Sequence, residues 1–292
     1  MRRRQLLLAA AVGGAGILCG LRAKNSDNGG VHSAYFQTLS TALDNAGLAR
    51  PTLIIDKQKL LANANVLHQH LAGRYDYRVV AKSLPSLPLL ETVMSHTDTQ
   101  RLMVFHQPFL NLIAKELPNA DVLLGKPMPV AAAARFYQQH TTTQFDARHQ
   151  LQWLVDSPAR LIQYADLGRQ RRELMLINLE LDVGLHRGGI KDEEQLAVAL
   201  DIIEREPFLQ FSGFMGYDPH VSKNPGLLGG PSAAFASVQK TYQNFVTIAE
   251  RQLQRSLSGL TLNAAGSPTY QRYTGAQVAT ELSAGSALVK PT

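Results

Sequence analysis

Cysteine is almost absent from this chain: Cys19 is the only one among 292 residues. An intrachain disulfide and a cysteine-based zinc site are therefore both excluded. The residue before it is Leu18, where a lipoprotein signal takes a small side chain. Excess charge is also scarce once it is located. The formal net charge is +6, but residues 1–30 hold Arg2, Arg3, Arg4, Arg22 and Lys24 against Asp27 alone. The remainder carries 24 basic and 22 acidic side chains, with no basic face interleaved with aromatics, so no nucleic-acid partner is expected. Glycine is missing from the first strand-to-helix turn, Asp56-Lys57-Gln58, which speaks against a dinucleotide-binding sheet. Hydrophobic content of 45% and charged content of 18% describe an ordinary folded protein.

The first thirty residues read as a leader and linker. Arg2-Arg3-Arg4 is followed by an apolar run to Leu21, and Leu21-Arg22-Ala23 offers a small residue for cleavage. Arg3-Arg4-Gln5-Leu6-Leu7 resembles a twin-arginine export signal without its usual leading polar residue. An exported or periplasmic protein is expected. The alternatives are an uncleaved membrane anchor, since about 17 apolar residues approach the length of a span, and a cytoplasmic protein if the leader does not function. Lys24 to Gly30 is a polar linker, and residues 31–292 form the main domain.

Short apolar runs then alternate with longer amphipathic ones. Predicted strands cover Leu53–Asp56, Val79–Ala81, Leu102–Phe105, Val122–Leu124, Trp153–Val155, Leu174–Leu181, Phe211–Tyr217 and Leu260–Leu262. Predicted helices cover Tyr35–Ala46, Lys57–Leu71, Leu87–Met94, Phe109–Leu117, Val130–Gln139, Ala159–Leu167, Glu193–Arg205 and Ala233–Leu253. Eight strand-helix alternations imply an α/β fold, an eight-stranded parallel (β/α)8 TIM-type barrel.

In such a barrel, chemistry gathers at the carboxyl ends of the strands. The second predicted strand, buried on both faces by its lack of polar alternation, delivers Lys82. A partly desolvated lysine has a lowered pKa and a free amine that can form a Schiff base with an aldehyde; the plain alternative is a lysine that ends a strand in solvent. The sixth delivers Arg187 flanked by Gly184, Gly188 and Gly189, and the seventh delivers Tyr217 and His220. The eighth is followed by Gly266, Ser267 and Thr269, then by Gly285 and Ser286. Amides and hydroxyls there suit a phosphate without a lysine. Singly, these read as a turn, a rim aromatic and a solvated loop histidine. Together they fit one ligand, pyridoxal 5'-phosphate.

Pro51–Asp56, Ala81-Lys82-Ser83, Glu180–Ile190 and Gly213–His220 follow one another in an order that resembles the alanine racemase N-terminal barrel superfamily. The resemblance is strongest to its D-threonine aldolase and D-amino-acid deaminase branch, and it covers about residues 50–290. It implies pyridoxal phosphate on Lys82, Arg187 against the pyridine nitrogen or phenolic oxygen, and Tyr217 and Gly266–Thr269 as further cofactor contacts. It implies a retro-aldol lyase or deaminase acting on a D-threonine- or D-serine-type amino acid. Lys82 would return as a base, with Tyr217 or His220 as a second proton carrier. An arginine at the pyridine nitrogen keeps it unprotonated, which suits a short-lived carbanion. An amino-acid racemase, a non-catalytic cofactor-binding protein and a truncated remnant are the alternatives. Two positions depart from the pattern: Ser267-Pro268 interrupt the phosphate loop, and Ser283 stands where an arginine is common. Family members continue into a carboxyl-terminal β domain, often completing the site across a dimer and in the aldolase branch supplying metal ligands. The chain ends at Thr292, so that domain is expected to be missing, no metal ligand is assigned, and a homodimer is the assembly the resemblance suggests.

Overall fold

The computed structural model describes residues 30–141, 144–275 and 277–289. The export-signal reading falls on residues 1–29 and lies outside them. The chain divides into two units, residues 1–54 and 55–292. In the first, the described part holds helix α1 (Ala34–Asn45). Thr38, Ser40 and Thr41 there each donate to the carbonyl four residues earlier. Among the described residues no helix is long and apolar enough to cross a membrane.

The second unit is a closed barrel of eight parallel strands in chain order. It opens with α2 (Lys57–Leu71), then β1 (Asp76–Val80), α3 (Leu87–His96), β2 (Arg101–Val104), α4 (Gln107–Glu116) and β3 (Asp121–Leu124). Next come α5 (Val130–Gln139), the short α6 (Ala147–Gln150), β4 (Leu151–Val155), α7 (Pro158–Arg171) and β5 (Met175–Glu180). The chain continues with α8 (Glu193–Arg205), β6 (Leu209–Gly216), α9 (Gly230–Leu253), β7 (Thr261–Ala264), β8 (Glu281–Ala284) and α10 (Ser286–Val289). Helix starts follow local chemistry. The side chains of Asp56, Ser157 and Asp192 accept from the amides of Lys59, Arg160 and Gln195. Each such cap stabilises by about 1 kcal/mol. Pro88, Pro108 and Pro158 sit in first turns, where the missing N–H is no loss.

The strand count is right, but the strands are shifted by one. Leu53-Ile54-Ile55 is not a strand. Its place in the circle is taken by Glu281–Ala284, whose residues register with Asp76–Val79 and close the barrel. Lys82 therefore follows the first strand, Arg187 the fifth, Tyr217 the sixth and the Gly266 loop the seventh.

Apolar side chains such as Leu90, Ile113, Phe136, Leu161, Leu200 and Phe245 fill the layer between helices and strands. The barrel interior is partly ionic. Arg78, fully buried on β1, donates Nε and Nη2 to the two carboxylate oxygens of Glu281 at 2.6 and 2.9 Å. Its Nη1 donates to Asp121 and to the carbonyl of Leu102. Asn263 Nδ2 then bridges Glu281 to the hydroxyl of Ser283, at 2.8 and 2.7 Å. This network ties the amino-terminal end of the barrel to the floor of the cleft at the other end.

Candidate functional site

At the carboxyl ends of the strands lies an open-mouthed cleft with a cavity volume of about 130 Å3. β1 stops at Val80, and residues Ala81–Ser83 form one 3-10 turn that carries Lys82 into the cleft. Its ammonium nitrogen sits 4.3 Å from the centre of the Phe105 ring, just past β2. Burial lowers the lysine pKa first, and the positive charges of Arg187 and Lys126 lower it further.

After β5 the chain makes a tight return, with amide hydrogen bonds from Asp182 to Ile190 and from Ile190 to Glu180. A side chain at Gly189, φ +100°, would place Cβ 2.9 Å from the backbone of residues 180–182, so only glycine fits. Asp182 organises the turn by accepting from the amides of Gly184 and His186 and from His186 Nδ1. Burial works against the Asp182 charge, but these bonds hold the carboxyl below its ordinary range. The return aims Arg187 inward. Its Nε and Nη2 both donate to Glu180 Oε1, at 3.0 and 2.8 Å. The guanidinium carbon lies 4.7 Å from the centre of the Tyr217 ring.

Tyr217 follows β6 and packs so closely on Gly266 that a Cβ there would be 2.6 Å from its ring. Burial raises the Tyr217 pKa, Arg187 counteracts it, and the neighbouring Asp218 adds to it. The phenol therefore stays protonated at neutral pH. Asp218 is fully buried and accepts from Thr269 Oγ1 at 2.6 Å and from the Tyr273 hydroxyl at 2.8 Å. Burial raises its pKa, and the two hydroxyls oppose that.

The loop after β7 meets the end of β8 at Ser267. Its hydroxyl accepts from the amides of Gly285 and Ala287, at 3.1 and 3.0 Å. A hydroxyl with both acceptor positions used still has one proton to donate. Among the described residues the amides of Ser267 and Ser286 make no hydrogen bond within the protein. Both residues line the cleft.

The structure thus brings Lys82, Arg187, Tyr217, Gly266, Ser267, Gly285 and Ser286 to one cleft. Thr269 and His220 stand behind it. The Thr269 hydroxyl, expected at the phosphate, is committed inside the protein to Asp218 and Gly266. The His220 ring lies over Gly184, and its buried Nδ1 makes no hydrogen bond among the described residues. Residues not singled out from sequence include Phe105, Gly125, Met103 and Met215. Phe105 and Gly125 immediately follow β2 and β3, so the strand-end rule applied to every strand would have found them. Among the described residues no group of three His, Cys, Asp or Glu side chains converges as a metal-ligand set.

The family model described as "Alanine racemase, N-terminal domain" matches residues 55–292. No curated protein matches. Among solved structures, D-threo-3-hydroxyaspartate dehydratase from Delftia sp. HT23 is similar with a TM-score of 0.68 and 18% identity, over 82% of this chain and 61% of that one. D-threonine aldolase from Filomicrobium marinum aligns with a TM-score of 0.68 and 15% identity, over 85% of this chain and 66% of that one. An alanine racemase-like protein from Idiomarina loihiensis aligns with a TM-score of 0.64 and 21% identity, over 84% and 62%. The chain therefore spans less than two thirds of the length of these neighbours, and at such identities the likeness is one of fold.

Proposed function

The chain belongs to the alanine racemase N-terminal domain family, and from that premise we propose that it is a pyridoxal-phosphate-dependent lyase acting on a D-amino acid of the threonine or serine type. The observation that carries this reading is Lys82: a lysine at a barrel-strand end, its pKa lowered by burial, sharing one cleft with Arg187, Tyr217 and unpaired amides.

The residues present fit the cofactor. Its aldehyde needs a neutral amine, and Lys82 holds one at lower pH than a free lysine. Its phosphate needs donors, which the Ser267 and Ser286 amides and the remaining Ser267 proton supply. Its ring needs a flat wall and a fixed polar edge, for which Tyr217 and Arg187 stand side by side. When bound, the cofactor supplies an electron sink for the pair released as a bond at the substrate's Cα breaks.

The chain's own part is proton handling and orientation. Lys82, once free, takes a proton from the substrate as a general base. Tyr217, kept protonated by burial, gives one. Arg187 holds donors only, so it orients and does not accept a proton. Glu180 fixes where those donors point. A racemase is the second reading, because Lys82 and Tyr217 in one cleft are also the two proton carriers that racemisation needs.

The test is direct. The purified chain is mixed with pyridoxal phosphate, and its visible absorbance band is compared with that of Lys82→Ala. Aldehyde and pyruvate release from D-threonine and D-serine, and the chirality of the remaining amino acid, separate lyase, deaminase and racemase. Identical spectra for wild type and Lys82→Ala would overturn the reading.

A further inference from the structure

We infer that Asp218 is a positioning residue that ties the end of β6 to the loop after β7, and so sets the geometry in which Ser267 meets a phosphate. The inference rests on the cofactor reading above. Asp218 is wholly buried, and among the described residues it forms no ion pair with a lysine or arginine. His220 is a basic neighbour that favours its charge, and its two oxygens take the protons of Thr269 and Tyr273. A carboxylate taken out of water without a cation is destabilising unless its hydrogen bonds are complete. An apolar residue there would suit the fold better, which points to a role in the site.

That role follows from the direction of the bonds. Ionised, Asp218 accepts only, so Thr269 must donate to it. Thr269 Oγ1 is then left to accept, and it takes the amide of Gly266 at 3.1 Å. The Gly266 carbonyl in turn accepts from the amides of Thr269 and Tyr270, at 2.9 and 3.0 Å. Residues 266–269 are thereby wound into one turn with Ser267 on its cleft side, where it receives the amides of Gly285 and Ala287. Asp218 also directly follows Tyr217, whose ring abuts Gly266. The carboxylate thus fixes the anion-binding turn, while the Tyr217 ring is held separately by its packing on Gly266. An asparagine keeps only one of the two acceptors: one hydroxyl must turn to accept its N–H, and the proton that hydroxyl gave to Asp218 loses its partner.

The experiment compares two aldehydes that differ only in the phosphate. Wild type, Asp218→Asn and Thr269→Val are each titrated with pyridoxal phosphate and with pyridoxal, following the visible band of the bound aldehyde. The expected result is an increase of tenfold or more in Kd for pyridoxal phosphate in both variants, with Kd for pyridoxal within twofold of wild type. Equal weakening of both aldehydes, or no weakening of either, would overturn the inference, since a merely structural role treats them alike. If Asp218→Asn does not fold, Thr269→Val decides by the same comparison. A wild type that binds neither aldehyde overturns the cofactor reading itself and takes the inference with it.

Discussion

Arg187 delivers two hydrogen bonds to a single oxygen of Glu180, at 3.0 and 2.8 Å, and that pairing is what stops its guanidinium from swinging out of the cleft. Glu180 is the last residue of β5, so the arginine is anchored to the barrel wall and not to its own glycine-rich loop. Hydrogen bonds to charged groups are worth about 1.5–3 kcal/mol. Glu180→Ala should therefore lower turnover by roughly 10- to 100-fold. Glu180→Gln, which keeps an acceptor, should lie between that variant and wild type. Steady-state kinetics on the three proteins checks the order.

Lys82 should capture its aldehyde at lower pH than a free lysine does. Burial is the main cause, with Arg187 and Lys126 adding to it. The capture rate, followed against pH by stopped-flow absorbance, should rise and level off with a midpoint below the roughly 10.4 of an unperturbed lysine. Lys126→Gln removes one of the two like charges and should move the midpoint upward, by less than the whole shift. A midpoint at the free-lysine value would show that the amine is solvated.

Stability should respond most to the ionic plug inside the barrel. Arg78→Met leaves Glu281 buried without its main partner, and breaking a buried pair in this way costs about 3–5 kcal/mol. The double change Arg78→Met with Glu281→Leu should recover part of that loss, because no buried charge is stranded. Denaturant midpoints measure both.

A pH effect on stability follows from Asp218. Its pKa is raised in the folded state, chiefly by burial. The folded protein then holds this proton to higher pH than the unfolded chain. The stability contributed is full below the ordinary carboxylate value of about 3.9, and it is lost as pH rises through the raised value. The difference in unfolding free energy between wild type and Asp218→Asn should therefore move toward the variant between mildly acid and neutral pH. A pH-independent difference would contradict the raised value.

Gly266→Ala should damage the site and spare the fold. The added methyl would sit 2.6 Å from the Tyr217 ring, which has to move. Turnover should fall at least tenfold while the Tm changes by only a few degrees, on the scale of about 1 kcal/mol.

Much of this site was legible because barrel chemistry sits where strands end, and strand ends are visible as apolar runs that stop at Lys82, Tyr217 or Gly266. What was not legible had no local mark. Leu53-Ile54-Ile55 has the composition of a buried strand, and nothing in those residues tells whether a neighbour exists to pair with them. Glu281–Ala284 escaped notice as a strand for the converse reason. Glu281 and Ser283 turn into an ionic barrel interior, so the apolar signature of a buried parallel strand is absent. The bond from Thr269 to Asp218 joins side chains 51 residues apart. Each residue type has many uses, and only the fold selects this one.

Arg78 and Glu281 stand 203 residues apart in sequence, on the first and last strands of the barrel. A chain emerging from the ribosome cannot seal this seam until almost all of residues 55–292 have been synthesised. Gly285 and Ser286, one step past the seam, enter the cleft only at that moment. On the proposed reading, the lysine that would hold the aldehyde is made early, and the residues that would grip the phosphate join it only once the last strand has closed on the first.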